Sequence, residues 1–304
     1  MHLNKNLKVY IKFFISIIIS GLILFKLFEQ IEYDLLIASY DNIGIRYVLI
    51  LIFFSFFVSF LTSLRFSTAL KIINFKIKIL ESWSYVLAVA PINLFVPSKG
   101  GEFGKAYFLK NRIKYSNTLK IVIIEKFFDV IALLTIGLAG SIYLKLKYII
   151  LVFLGFLSIL LFIPLIMINY ELKTKIHIFN KIIKNIKAFK LKIKNPRMML
   201  FLFLNSLSIW LLFSFVIFIV FASIGSSAEF SIIMVVYPLS IIVGLIPITM
   251  SGLGTRDAAF VYLFGYFGII EEHAIIVSLS YFLLSYLLPA VIGIPFSLYL
   301  FNKK

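Results

Sequence analysis

The chain of 304 residues is 62% hydrophobic and only 14% charged, with a mean hydropathy of +1.07. A soluble domain of this length cannot bury so much apolar side chain, so the composition excludes a soluble globular protein and indicates a polytopic membrane protein. The net charge of +17 does not point to nucleic acid, because the basic residues lie between apolar runs, where the positive-inside rule and anionic headgroups account for them. With no cysteine and three widely separated histidines, we expect no metal site and no cofactor.

The apolar runs predict an all-α polytopic membrane protein. Six of them are long enough to cross a bilayer: 9–28, 47–64, 119–144, 148–169, 198–224 and 274–301. Two further runs, 83–97 and 232–270, contain or meet residues that break helices: Pro97, Gly100, Gly101, Pro247, Gly252 and Gly254. We predict that these two runs form re-entrant or broken hairpins, which gives eight membrane segments.

The charges between the runs predict the orientation in the cell membrane. The N-terminal segment is basic, and the loop after the first span is acidic, with Glu29, Glu32, Asp34 and Asp41. Arg65 opens a basic segment after the second span, and both flanks of 83–97 are basic as well. These charges predict cytoplasmic N- and C-termini, a first hairpin that enters from inside and a second that enters from outside. The segment 170–197, with nine Lys and Arg residues, predicts a cytoplasmic basic amphipathic segment.

The order of the segments predicts an inverted repeat within one membrane domain, 1–304. Residues 1–145 and 148–304 each give two spans, a hairpin and a span, in opposite orientations. The hairpins also share a weak glycine-containing pattern, PSKGGEFGKA at 97–106 and MSGLGTRDAA at 250–259. This architecture is typical of secondary transporters, whose discontinuous helices meet near the midplane and form the substrate site there.

The third span carries charges that a purely structural helix would not need. Glu125, Lys126 and Asp129 lie within the run 119–144, and the helical rise places Asp129 about 15 Å deep. Each charge near the bilayer centre costs about 2.5–3.5 kcal/mol on insertion scales. Glu125 and Asp129 share one helix face and have the same sign, and Lys126 compensates them only in part. We therefore expect a counter-charge from elsewhere in the chain.

The two hairpins carry the other candidate residues of a polar pathway. Arg256 and Asp257 open a half-helix after the second break, and Arg256 can offer a planar fork to a phosphate or to the carboxylates of the third span. Glu102 and Lys105 are three residues apart on the returning arm of the first hairpin and can pair. The alternative is that each pair only holds transmembrane elements together.

Three stretches resemble successive motifs of the lysylphosphatidylglycerol synthase transmembrane family. They are NLFVPSKGGEFGKAYFLKNR, IEKFFDVIALL and LIPITMSGLGTRDAAFVYLFGYFGI, and they follow the family order over nearly the whole chain. The resemblance implies that the charged residues of these motifs belong to a flippase-like membrane domain: Glu102, Lys105, Glu125, Lys126, Asp129, Arg256 and Asp257. Lysine occupies positions 105 and 126, where relatives often have arginine, so a point charge replaces a bidentate fork there.

The resemblance implies a translocator that moves a phospholipid or a polyprenyl-phosphate type of lipid between leaflets, with membrane lipids as its partners and no catalytic residues. The soluble lysyltransferase domain of the larger family members is not in this sequence, so we expect no synthase activity. Two alternatives remain open: a membrane-embedded lipid-modifying transferase, and a non-transporting partner of a cell-envelope synthesis enzyme.

Overall fold

The computed structural model describes residues 2–29, 32, 34, 44–169, 195–226 and 228–302, and within them every regular element is a helix. The α-helices are α1 His2–Glu29, α2 Ile45–Leu70, α3 Ile79–Phe95, α4 Gly104–Phe108, α5 Tyr115–Tyr143, α6 Lys147–Asn169, α7 Pro196–Ser223, α8 Phe230–Gly244, α9 Thr255–Tyr266, α10 Glu271–Phe282 and α11 Leu288–Asn302. The predicted amphipathic segment 170–197 lies almost entirely outside the described residues.

Three helical stretches in the described part of the chain are long and apolar enough to cross a membrane. They are Ile45–Ile73, Pro196–Ser223 and Glu271–Asn302, with mean hydropathies of 2.2 to 2.3. The first includes a 3-10 turn, Lys71–Ile73, and the third includes a π-helical segment, Leu283–Leu287. Many of their large apolar side chains are exposed, which suits contact with lipid tails rather than water. The chain is therefore a multi-pass membrane protein.

Both predicted hairpins contain an interruption between helices. In the first, a 3-10 segment, Pro97–Phe103, separates α3 from the short helix α4 and contains Gly100 and Gly101. A Cβ at Gly101 would lie 2.5 Å from the backbone nitrogen of Asn93, so only glycine lets this segment fold back onto the end of α3. In the second, Pro247 lies in the turn after α8, and Gly252 and Gly254 have φ values of 76° and 92°.

The two interruptions are in direct contact. Ser251, in the 3-10 turn Met250–Gly252, has a φ of 53°, and its hydroxyl donates to the carbonyl oxygens of Asn93 at 2.6 Å and Leu94 at 2.8 Å. These carbonyls belong to the last turn of α3, where helix carbonyls have no intrahelical partner. The second interruption therefore caps the helix that leads into the first.

Each hairpin packs against the last helix of the other half of the chain. Helix α3 lies along α11, and α8 lies along α5. Small residues make both contacts close: Gly293 of α11 faces the carbonyl of Leu87, and Gly140 of α5 faces Met234. Helices α2 and α7 pack against each other between these two pairs. Helix α5 thus packs against α2, α4, α6, α7 and α8.

The close approach of α3 and α11 gives a stability prediction. A Cβ at Gly293 would lie 2.1 Å from the carbonyl oxygen of Leu87, which is backbone and cannot move aside alone. We expect Gly293→Ala to lower the melting temperature in detergent, by an amount corresponding to about 1–3 kcal/mol of overpacking. Gly155→Ala is the matched control, because Gly155 is an exposed helical glycine with nothing within 4 Å of its added Cβ. Equal melting temperatures for the two variants would contradict the packing described.

Candidate functional site

The acidic residues of α5 lie on its buried face. Glu125 is 1% exposed and Asp129 is 6% exposed, and they are one helical turn apart. Two like charges at this spacing repel each other, and neither carboxylate has bulk water around it to reduce the repulsion. The structure must therefore supply cations to this face of α5.

Arg65 of α2 supplies the first of these cations. Its Nη1 is in close contact with Oδ1 of Asp129, its Nη2 lies 3.3 Å from Oδ2, and its Nε lies 3.4 Å from Oε1 of Glu125. Nη1 also donates to the hydroxyl of Ser206 at 2.8 Å. The guanidinium thus holds Asp129 with a two-pronged contact and bridges both α5 carboxylates.

The position of Arg65 corrects the sequence-based prediction. The run 47–64 predicts that Arg65 lies beyond the span, at the cytoplasmic surface. In the structure α2 continues to Leu70, and Arg65 is only 3% exposed. An arginine at the edge of an apolar run is indistinguishable from a flanking charge unless its partner, 64 residues further along the chain, is known.

Lys105 supplies the second cation, from the returning arm of the first hairpin. Its Nζ lies 2.5 Å from Oε2 of Glu102 and 3.2 Å from Oε2 of Glu125. The side chain is fully buried and also lies over the ring of Phe66, 4.6 Å from its centroid. The pairing of Glu102 with Lys105 agrees with their spacing in the sequence, and Lys105 additionally ties the hairpin to α5.

Lys126 is the most accessible cation of the cluster. Its Nζ lies 3.6 Å from Oδ2 of Asp129, and its side chain is 29% exposed. Asp129 also accepts a hydrogen bond from Nε1 of Trp210 at 3.0 Å. Asp129 is therefore the centre of the cluster, contacted from α2, from α7 and from its own helix.

Arg256 and Asp257 form a second, separate pair. Nη2 and Nε of Arg256 lie 2.7 and 3.2 Å from Oδ1 of Asp257, which also accepts from Ser278. Oδ2 of Asp257 accepts from the backbone nitrogen of Gly254 at 2.7 Å. The expectation that Arg256 supplies the counter-charge for α5 is thus wrong: Arg65 and Lys105 do so, and Arg256 is held by its own neighbour.

Two cavities lie on either side of Asp129 and Trp210. The first, which we call the α2 cavity, has a volume of about 100 Å³ and includes Arg65 and Glu102 in its lining. The second, the α9 cavity, has a volume of about 170 Å³ and includes Ser251 and Arg256. Four residues line both cavities: Lys126, Asp129, Trp210 and Tyr286. The α5 network and Arg256 therefore line adjacent cavities that share these four side chains.

The charges around α5 balance. Arg65, Lys105 and Lys126 oppose Glu102, Glu125 and Asp129, so this network, which we call the α5 network, is neutral as a whole. The Arg256–Asp257 pair is neutral as well. Balanced pairing reduces the desolvation free energy of each buried ion. An apolar core of the same volume would still be equally or more stable. Within the described residues, no group of three or more His, Asp or Glu side chains could hold a metal ion.

A bundle of long apolar helices that encloses such a network defines a multi-pass membrane protein with a polar interior. The family described as "Lysylphosphatidylglycerol synthase TM region" matches residues 13–293, and the chain belongs to that family. A curated relative, the UPF0104 membrane protein MJ1595 of Methanocaldococcus jannaschii, is 28% identical over 320 aligned positions, which cover 92% of each chain. No solved structure matches the chain significantly.

The contact between Arg65 and Asp129 can be tested by a double-mutant cycle. We expect Arg65→Gln and Asp129→Asn each to lower stability by about 3–5 kcal/mol, because each leaves the other charge buried without its main partner. The double variant should lose less stability than the two single variants lose together, since it leaves no net charge in the network. The melting temperatures of the three variants are measured in one detergent, with size-exclusion chromatography reporting the folded protein that remains after heating.

The control for this cycle is a pair outside the network. Arg112 contacts Glu81, and the two side chains are 46% and 34% exposed. Exposed pairs contribute about 0–1 kcal/mol, so Arg112→Gln should melt close to the unaltered protein. Strictly additive losses for Arg65→Gln and Asp129→Asn would show that the two side chains do not interact.

Proposed function

We propose that this protein moves a phospholipid or a polyprenyl-phosphate type of lipid between the two leaflets of the cell membrane. The observation that carries the proposal is the buried α5 network, which lies between two cavities inside an otherwise apolar helical bundle. Intramembrane charges at this density are found mainly along substrate and ion pathways. The headgroup would pass through the cavities while the acyl or prenyl chains stay in the lipid.

The family supports a lipid rather than a soluble solute as the substrate. Its description names the transmembrane region of a protein that makes a modified phospholipid, lysylphosphatidylglycerol. The exposed surfaces of the helices are rich in large apolar side chains, so lipid tails can lie against the bundle throughout the passage of the headgroup. We place no catalytic residue in this site, and its role is to stabilise a polar headgroup at membrane depth.

The inverted repeat forms part of the proposal, and the packing supports it. The two halves have the same order of helices, with an interrupted hairpin in third position, and each hairpin packs on the last helix of the opposite half. The two interruptions touch through Ser251. Inverted repeats of this kind allow alternating access from the two sides of a membrane around a central site.

Three contacts support the proposed orientation, with both termini in the cytoplasm. The backbone nitrogen of Glu32 lies 3.3 Å from Oε1 of Glu272, which joins two segments predicted to be external. Arg112 contacts Glu81, and the rings of Phe108 and Phe301 lie 5.0 Å apart, which joins segments predicted to be cytoplasmic. Each contact links segments that the charge pattern assigns to the same side.

The proposal can be tested in vesicles that contain the purified protein and trace amounts of labelled lipid, either phosphatidylglycerol or a polyprenyl phosphate. Quenching with dithionite, which cannot cross the bilayer, reports the label in the outer leaflet. We expect the protein to make the inner label accessible, and Arg256→Ala to abolish this movement, because it removes a buried cation from the α9 cavity. Arg112→Ala is the control and should retain movement.

The outcomes separate the alternatives. Unaltered protein that moves neither lipid would contradict the proposal, and if it co-purifies with a stable envelope enzyme, a partner role would replace it. A change in the mass of the lipid would indicate a transferase instead. Full movement with Arg256→Ala would remove Arg256 from the mechanism.

A further inference from the structure

The carboxylates of the α5 network are already in contact with cations of the protein. In the α5 network, Oε1 of Glu102 accepts from Asn93 at 3.4 Å, and Oε2 contacts Lys105. The two oxygens of Glu125 contact Arg65 and Lys105, and those of Asp129 contact Arg65 and Trp210. A cationic headgroup would therefore have to displace a cation that belongs to the protein.

The second pair is occupied on its acidic side as well. Oδ1 of Asp257 contacts Arg256 and Ser278, and Oδ2 accepts from the backbone of Gly254. Each oxygen of Glu102, Glu125, Asp129 and Asp257 thus has a donor or a cation of the protein within reach. The acidic side chains that line the cavities are among them: Glu102 and Asp129 in the α2 cavity, and Asp129 in the α9 cavity.

The cationic side chains that line the α9 cavity still have hydrogen-bond donors without a full partner. Nη1 of Arg256 is buried and has no hydrogen-bond acceptor among the described residues. Arg256 is 1% exposed, so water does not compensate for this missing partner, and the residue lines the α9 cavity. Lys126 lines the same cavity, is partly exposed and contacts Asp129 at the relatively long distance of 3.6 Å. The α9 cavity therefore offers positively charged hydrogen-bond donors to a ligand.

We infer that the α9 cavity is a binding site for the phosphate group of an anionic headgroup, held by Nη1 of Arg256 and by Lys126, and that it offers no site for an ammonium group. The inference rests on the proposed function and narrows the substrate to anionic phosphate lipids, as opposed to lipids recognised through an amine. Asp257 fixes the other side of the guanidinium, so that Nη1 is pre-oriented and loses little rotamer freedom on binding.

Tryptophan fluorescence can test this inference without any transport. The chain has two tryptophans, and Trp210 lines the α9 cavity, whereas Trp83 donates to Ser59 away from it. In a Trp83→Phe background, the emission of Trp210 in detergent reports occupation of the cavity. The probes are dihexanoyl phosphatidylglycerol, dihexanoyl phosphatidylethanolamine, a short-chain trimethylammonium lipid without phosphate, and inorganic phosphate.

We expect phosphatidylglycerol to bind, the trimethylammonium lipid not to bind, and the amine of phosphatidylethanolamine to add no affinity. The double variant Arg256→Gln/Asp257→Asn keeps the buried charge balanced and should weaken phosphatidylglycerol binding roughly tenfold or more, as for the loss of a charged hydrogen bond. Arg112→Gln should leave binding unchanged. The single variant Arg256→Gln leaves Asp257 unpaired, so its folding is checked by size-exclusion chromatography first.

Tighter binding of either amine-containing lipid than of phosphatidylglycerol would overturn the inference, and the unaltered protein alone decides this point. Unchanged phosphatidylglycerol affinity in the folded double variant would overturn it as well. Inorganic phosphate that binds as tightly as the lipid would support the anion site but contradict a lipid substrate. Arginine-dependent lipid binding without movement in vesicles would leave the phosphate site standing and contradict the proposed translocation.

Discussion

The structure depends on the neutralisation of two carboxylates on one face of α5. Glu125 and Asp129 cannot both be charged inside a membrane unless cations reach them from other elements. Arg65 reaches them from α2 and Lys105 from the first hairpin, and these contacts place both elements against α5. The helical bundle is otherwise apolar and has no water-driven hydrophobic force between its helices in lipid, so specific contacts of this kind select one packing arrangement among many.

The features that the sequence predicted are those that depend on neighbouring residues. The family assignment is confirmed, as are the all-helical fold and its membrane class. The interruption after α3 and the one after α8 coincide with clusters of glycine and proline, because backbone conformation is a local property. The contact between Glu102 and Lys105 follows in the same way from a spacing of three residues.

The features that the sequence did not predict are long-range pairings. Hydropathy places Arg65 at the membrane surface, although it is the main partner of Asp129, because hydropathy alone cannot show where a helix ends. The sequence predicts that Arg256 reaches α5, but the adjacent carboxylate of Asp257 is available at no cost in chain closure. A guanidinium can pair with an adjacent acid, as Arg256 does, or with one on another helix, as Arg65 does, and the sequence cannot rank the two.

The balance of charges in the α5 network also bears on how a headgroup could pass it. A net positive cavity would bind an anion tightly and release it slowly, whereas passage requires sites that are favourable enough to enter and weak enough to leave. In this protein three cations are already matched by three carboxylates, so a phosphate near Asp129 competes with groups that are held in place. Nη1 of Arg256, whose residue lines the α9 cavity together with Trp210 and Tyr286, is a cationic donor that no described acceptor uses. In the proposed translocation, a donor on Arg256 beside a neutral network binds the headgroup at membrane depth weakly enough for it to be released.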